Sequence, residues 1–258
     1  MKIKLLDNTI HQQSELIDNA YSDEFYYGYL GKTAFSSSNL KLLLDSPKSY
    51  HYAMKYGNES SSQALRDGHL FHTYLLEPEK LEDIVFVDVQ SKNTKKFKEA
   101  KAEYPDVFTA KERDDCERLV DAMSKNSRAM ELMRDSRTEI PAVDNLFGYP
   151  FRAKADILKN SGGIVDLKTT IDVRNFDRSA YKFRYFLQVY IYCNLFNCSY
   201  KDFKFLCIDK KNLDIAVWNV SKEFYEVGEE QVQRAIEIYE EYKREDFDVN
   251  DFTITGTL

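Results

Sequence analysis

Two aspartates and a lysine stand where they could hold a divalent cation beside a positive charge. Asp156 lies in the run Lys154-Ala155-Asp156-Ile157-Leu158. Asp166, Leu167 and Lys168 lie in Ile164-Val165-Asp166-Leu167-Lys168-Thr169-Thr170. Carboxylate oxygens are the ligands that hard ions such as magnesium prefer. An ammonium beside them suits chemistry in which negative charge builds up. On their own, an Asp and a Lys two apart on a strand are more often a solvated face with a weak ion pair, so the reading depends on what surrounds them.

Both runs are short and apolar, and Lys159-Asn160-Ser161-Gly162-Gly163 between them has turn composition. They therefore predict two strands of a hairpin. Alternation along a strand puts Asp166 and Lys168 on one face and Leu167 on the other, and pairing brings Asp156 alongside. The triad is expected at an exposed site, outside the core.

The elements around the hairpin follow from periodicity. A period of two starting at Glu139 predicts strands near 139–147, 150–158 and 163–169, with further strands near 203–209 and 214–220. Helical patterns cover about 175–196 and 222–243. Upstream, Ser36-Ser37-Ser38-Asn39 caps a helix that Asp45-Ser46-Pro47 stops. A second helix runs from Lys48 to Tyr56. A third is opened by Ser60-Ser61-Ser62 and reaches about Glu77, before Pro78. A short strand is expected at 84–87, and a helical pattern beyond Lys98 continues to about Met133. Residues 1–31 read as an irregular arm. No repeat and no Gly/Ser/Pro linker divides the chain. The expected class is α/β (α+β mixed), a central mixed sheet flanked by helices. One domain is expected, with an arm (1–35), a mainly helical part (36–135), a sheet-and-helix part carrying the aspartates (136–245) and a tail (246–258).

Composition narrows the class of protein. The 258 residues are 43% hydrophobic and 31% charged, which suits a soluble protein with a real core. No apolar run approaches the roughly 18 residues of a membrane helix. The N-terminus lacks the apolar stretch of a signal peptide, so a cytoplasmic protein is expected, with no membrane partner. The net charge of −7 argues against nucleic-acid binding by bulk charge and says little about a local groove. Cys116, Cys193, Cys198 and Cys207 include no Cys-x-x-Cys pair, so zinc-ribbon spacing is absent.

Other residues join the Asp156/Asp166/Lys168 group. Gly68-x-x-x-His72 precedes Leu75-Leu76-Glu77-Pro78. Glu139 opens the first long strand. Gln188-x-x-x-Tyr192 puts two polar groups on one helix face. Ser36, Ser38, Asn39 and Leu40 stand ahead of Ser46-Pro47. Lys182 and Arg184, near the start of that helix, are candidates for phosphate contact, whereas the lysines of 92–101 read as a solvated face.

Taken in order, these segments resemble the PD-(D/E)XK nuclease superfamily, and within it the RecE-type, exodeoxyribonuclease VIII-like group of phages and prophages. The likeness runs from about Ser36 to the last helix and is strongest over 151–192. It implies a PD-(D/E)XK nuclease-like core behind a helical N-terminal half, and a metal held by Asp156, Asp166 and the carbonyl of Leu167. His72 would join through the Gly-x-x-x-His motif; without that motif, a histidine among Leu65, Phe71 and Leu75 would be read as core. Magnesium is the implied ion, with manganese able to substitute. Lys168 would orient and help deprotonate the attacking water and steady the charge that develops. Glu139 would sit at the edge of the site, where it could bind a second ion through water. Gln188 and Tyr192 would brace the helix and touch the DNA backbone, although Tyr192, beside Tyr190 and Phe196, could equally be packing. Iron–sulfur members carry one early cysteine and a late group of three. The cysteines here do not fit that order, so no cluster is expected.

The implied activity is metal-dependent, 5′-to-3′ digestion of linear double-stranded DNA from its ends, leaving 3′ single-stranded tails for a single-strand annealing protein. A structure-specific or restriction-type endonuclease uses the same chemistry. A non-catalytic DNA-binding or assembly module on the same fold is a third reading, which the intact Asp156, Asp166 and Lys168 oppose. A closed trimer or tetramer ring is expected, with Lys182 lining its channel. The aromatic run Phe25-Tyr26-Tyr27-Gly28-Tyr29-Leu30 is a candidate for either subunit contact or packing on its own domain.

Overall fold

The computed structural model describes residues 1–57 and 62–253. Its centre is a five-stranded mixed sheet in the order β5-β6-β7-β8-β9. The strands are β5 (Ser136–Leu146), β6 (Tyr149–Lys159), β7 (Ile164–Thr170), β8 (Phe203–Asp209) and β9 (Ile215–Asn219). Neighbours are antiparallel except for β7 and β8. The parallel pair requires a crossover, supplied by α9 (Phe176–Lys182) and α10 (Tyr185–Leu195). A two-residue turn joins β5 to β6. Phe147 and Gly148 both have positive φ, 52° and 80°, as the twist of a tight hairpin demands.

Helices cover both faces. On one lie α3 (Ser37–Asp45), α4 (Pro47–Tyr56), α10 and α11 (Lys222–Tyr242), packed on Phe151, Ala153, Ala155, Phe203 and Phe205. On the other lie α5 (Gln63–Leu76), α7 (Ala110–Lys125) and α8 (Ser127–Met133), packed on Ile157, Val165, Leu167, Leu206 and Ile208. Because both faces are covered, β6 and β7 are buried almost throughout.

Several expectations need correction. The arm is not irregular. It holds a small hairpin of β1 (Lys2–Lys4) and β2 (Ile10–Gln12), then α1 (Gln13–Asn19), a π-helical turn at Glu24–Tyr29 and α2 (Leu30–Thr33). Ile3, Leu16, Tyr26 and Leu30 pack with Val143 of β5, so the arm has a core of its own, which its short elements conceal from periodicity. The helical stretch up to Met133 is also interrupted. After β3 (Val85–Val87), α6 (Lys95–Glu103) ends and β4 (Val107–Thr109) pairs in parallel with β3 before α7 begins. Thr109 stops the strand and caps α7 in a capping box with Glu112. The third helix starts at Gln63, capped by Ser62; Ser60 and Ser61 lie outside the described residues. The expected helix over 175–196 is two helices, broken at Phe183 and Arg184.

Candidate metal centre and catalytic lysine

β6 loses its neighbours at Asp156. The β5–β6 ladder pairs Thr138 with Ile157 and Ile140 with Ala155, skipping Glu139 and Asp156 between them. The β6–β7 ladder holds only Ile157↔Val165 and Leu158↔Ile164, so it ends just before Asp156 and Asp166. Glu139 has φ of 50°, a left-handed conformation that is uncommon for a residue with a side chain and is often found at functional sites. The side-chain alternation of β6 also breaks here. Ala155 packs on the α10 face, but Ile157, two residues on, packs on the α5 face. This local twist splays the strands and turns Asp156 into the gap.

Three side chains meet in the gap. Ligand-capable atoms of His72, Glu139 and Asp156 all lie within 4.8 Å of one another. His72 comes from α5, which lies close against β7: a Cβ on Gly68 would stand 4.0 Å from Thr169 Oγ1. His72 Nε2 is 3.1 Å from the Leu167 carbonyl oxygen. A carbonyl only accepts, so Nε2 carries the hydrogen. Nδ1 faces Asp156 Oδ2 at 3.7 Å. The other side of Leu167 is also engaged, its backbone N–H donating to Asp156 Oδ2 at 2.8 Å.

Asp166 is placed differently from Asp156. It is fully buried, against the expectation of an exposed triad, because α10 covers that face of β7. Gln188 of α10 donates to Asp166 Oδ1, and Lys168 forms an ion pair with Oδ2. Gln188 thus acts on the carboxylate itself. Tyr192, one turn on, packs on Phe196 and Phe203. Burial drives its phenol well above the ordinary value, so it stays neutral. Arg184 is spent on structure, donating to Asp45 at 2.8 Å and to the Lys41 carbonyl at 3.3 Å. Lys182 is exposed.

The electrostatics show excess negative charge. Burial, then repulsion from Asp156 and Glu77, raises the Glu139 carboxyl to about 8. Asp166 is also raised, by burial that the Lys168 ammonium only partly offsets. Burial alone would lower Lys168, but Asp166 and Asp156 outweigh it and keep the side chain protonated. Carboxyls held back from ionising, the partly buried Glu139 and the buried Asp166, lack positive charge, which a divalent cation would supply. The donor set of carboxylates and one imidazole suits magnesium or manganese.

Three further neighbours were not among the expected site residues. Lys41 of α3 lies 5.3 Å over the Tyr185 ring, and Lys168 lies over the same ring at 5.1 Å. Burial, then the Lys168 charge, lowers the Lys41 amine to about 8. Lys154 is buried and donates to Asp23 of the arm at 2.7 Å. Its spacing from Asp156 on β6 was a usable signal; no local pattern links Lys41 or Asp23 to the site.

Among the described residues no helix is long and apolar enough to cross a membrane. No curated protein sequence matches the chain. Its structure is similar to the crystal structure of a "putative exonuclease" from Eubacterium rectale. The TM-score is 0.64 at 16% sequence identity, over 92% of this chain and 95% of that one, a likeness of fold. Residues 36–249 match the family described as PDDEXK-like domain of unknown function (DUF3799). That span takes in Asp156, Asp166, Lys168 and the helix carrying His72, and the chain belongs to this PDDEXK-like family.

Proposed function

We propose that the protein is a divalent-metal-dependent nuclease of the RecE type, digesting linear double-stranded DNA from its ends in the 5′-to-3′ direction. The observation that carries the nuclease reading is the meeting of His72, Glu139 and Asp156 beside the buried Asp166–Lys168 pair. His72, Glu139 and Asp156 would hold the ion, with the Leu167 carbonyl next to them; Glu139 thus takes the ligand place expected of Asp166, whose oxygens are engaged by Gln188 and Lys168. A cation bound there would supply activation of a water and offset charge on the leaving oxygen. Asp166, fixed by Gln188, holds Lys168 in place and in its charged form. In that form Lys168 is an electrostatic stabiliser of a phosphate gaining negative charge, not a base. Asp156 couples the two halves of the site, because it faces His72 and accepts from the strand that bears Lys168.

Digestion from ends is supported by the resemblance of the motif order to exodeoxyribonuclease VIII-like enzymes and by the printed name of the Eubacterium rectale neighbour. Magnesium as the working ion, a role in recombination with an annealing protein, a closed homo-oligomeric ring and a cytoplasmic setting in a bacterial host belong to the same proposal. The test offers end-labelled linear duplex and covalently closed circles, each with magnesium and with chelator. The reading expects magnesium-dependent loss of the 5′ label from the linear duplex and intact circles. Cutting of circles would make the protein an endonuclease, and no cutting of either would leave a non-catalytic module.

A further inference from the structure

An aromatic and cationic strip runs outward from the catalytic lysine. Lys168 lies 5.1 Å over the Tyr185 ring, and Tyr185 lies 5.9 Å from Phe183 at a tilt of 35°. Lys41 stands over Tyr185 and Lys182 stands 5.5 Å over Phe183. Phe183 is 49% exposed, whereas Tyr185 is half-buried.

Phe183 and Tyr185 are two residues apart, and in a continuous helix such side chains point away from each other. Here they come together because Arg184 between them takes a left-handed conformation, φ 53° and ψ 45°, which ends α9 and starts α10. Residues with a side chain seldom adopt it, and this one is held by the bonds from the Arg184 guanidinium to Asp45 and Lys41. The break leaves Phe183 exposed beside Lys182, whereas Tyr185 packs inward on Phe176 and Phe205. Strained residues of this kind concentrate where the geometry is used.

We infer that Phe183, flanked by Lys182 and backed by Tyr185 and Lys41, forms a stacking track for an unpaired stretch of the DNA strand adjoining the cut. Bases stack on aromatic faces regardless of sequence, while cations follow the backbone. The strip has that composition, and it is continuous with Lys168. The occupant is single-stranded because a ring between paired bases would have to break their stack, whereas an unpaired base offers a free face. This inference rests on the nuclease reading for its substrate, but its test does not depend on cleavage.

The test measures binding of a fluorescein-labelled oligothymidylate by anisotropy, with calcium in place of magnesium, for the wild type, Phe183→Ala, Phe183→Leu and Phe183→Trp. Phe183→Ala and Phe183→Leu should bind at least about five-fold more weakly, and Phe183→Trp should restore affinity. Circular dichroism melting should be little changed, since the side chain is half exposed. Affinity of Phe183→Ala within two-fold of wild type, or recovery by leucine, would overturn the track. Magnesium-dependent cutting of linear duplex by the wild type, run in parallel, separates the two claims. Cutting with unchanged Phe183→Ala binding removes the track alone, and ring-dependent binding without cutting removes the nuclease reading alone. A wild type that fails to bind the oligothymidylate removes the track as well.

Discussion

The Asp156 carboxylate takes the place of a missing β-ladder bond, accepting from the Leu167 backbone N–H at 2.8 Å where β6 and β7 part. One side chain therefore both closes the sheet and faces His72. These two roles can be separated. Asp156→Asn keeps an oxygen for Leu167 but loses the charge, so cleavage should fall to background with a nearly unchanged melting temperature. Asp156→Ala should also leave a buried N–H unpaired, a cost of about 1–3 kcal/mol. Equal melting temperatures for the two variants would show that the bond to Leu167 carries no stability.

Lys168 and Gln188 both act on Asp166, with different consequences. Lys168→Met removes the ammonium while roughly keeping its length. Asp166, already biased toward the neutral form by burial, can take up a proton in response. Magnesium binding should survive, and the cleavage rate should fall by about 10²–10³-fold, the effect of removing one electrostatic stabiliser. Gln188→Ala frees Asp166 to turn, and about 10–100-fold is expected for the loss of such an orienting partner. A Lys168→Met enzyme within ten-fold of wild type would remove the lysine from the mechanism.

The hairpin was legible because its residues are local. Two apolar runs around Lys159–Gly163 specify β6 and β7, and alternation puts Asp166 and Lys168 on one face. The burial of Asp166 was not legible, because it comes from α10 lying over that face, a tertiary fact. The left-handed turns at Glu139 and Arg184 were not legible either, since neither residue type favours positive φ and both are held there by their surroundings. Lys41 lies more than a hundred residues from Tyr185 in sequence. Only the fold brings them within 5.3 Å.

Gly228 reports on the helix that holds Gln188. A Cβ there would lie 2.4 Å from the Phe186 carbonyl oxygen and 2.9 Å from Tyr190 Cβ, so α11 rests directly on the backbone of α10. Gly228→Ala improves helix propensity by about 1 kcal/mol, yet it must push α10 and α11 apart. Overpacking of this kind costs roughly 1–3 kcal/mol, and against backbone the upper end applies. A melting temperature several degrees lower, with reduced cleavage from a displaced Gln188, is expected. A variant as stable and as active as wild type would mean that the two helices part without consequence.

Glu139 makes metal binding and stability respond to pH in opposite directions. Its folded value of about 8 lies above the ordinary 4.5, so the folded chain holds this proton more tightly than the unfolded chain does. The resulting stability is fully present below 4.5 and is lost as pH rises through 8. Asp166, also raised, adds to the same slope at its lower end. In chelator, the melting temperature should therefore fall between pH 5.5 and 8.5. A divalent cation needs the ionised carboxylates, so its binding releases protons and strengthens over the same range. With saturating magnesium the decline should flatten. Glu139→Gln should reduce the slope in chelator and weaken magnesium binding at pH 8 more than at pH 6. Differential scanning calorimetry with chelator and with magnesium, across five pH values, measures both effects. A melting temperature in chelator that is flat or rises with pH would show that Glu139 is ionised in the metal-free protein, and that the gap at Asp156 carries no charge deficit for a cation to fill.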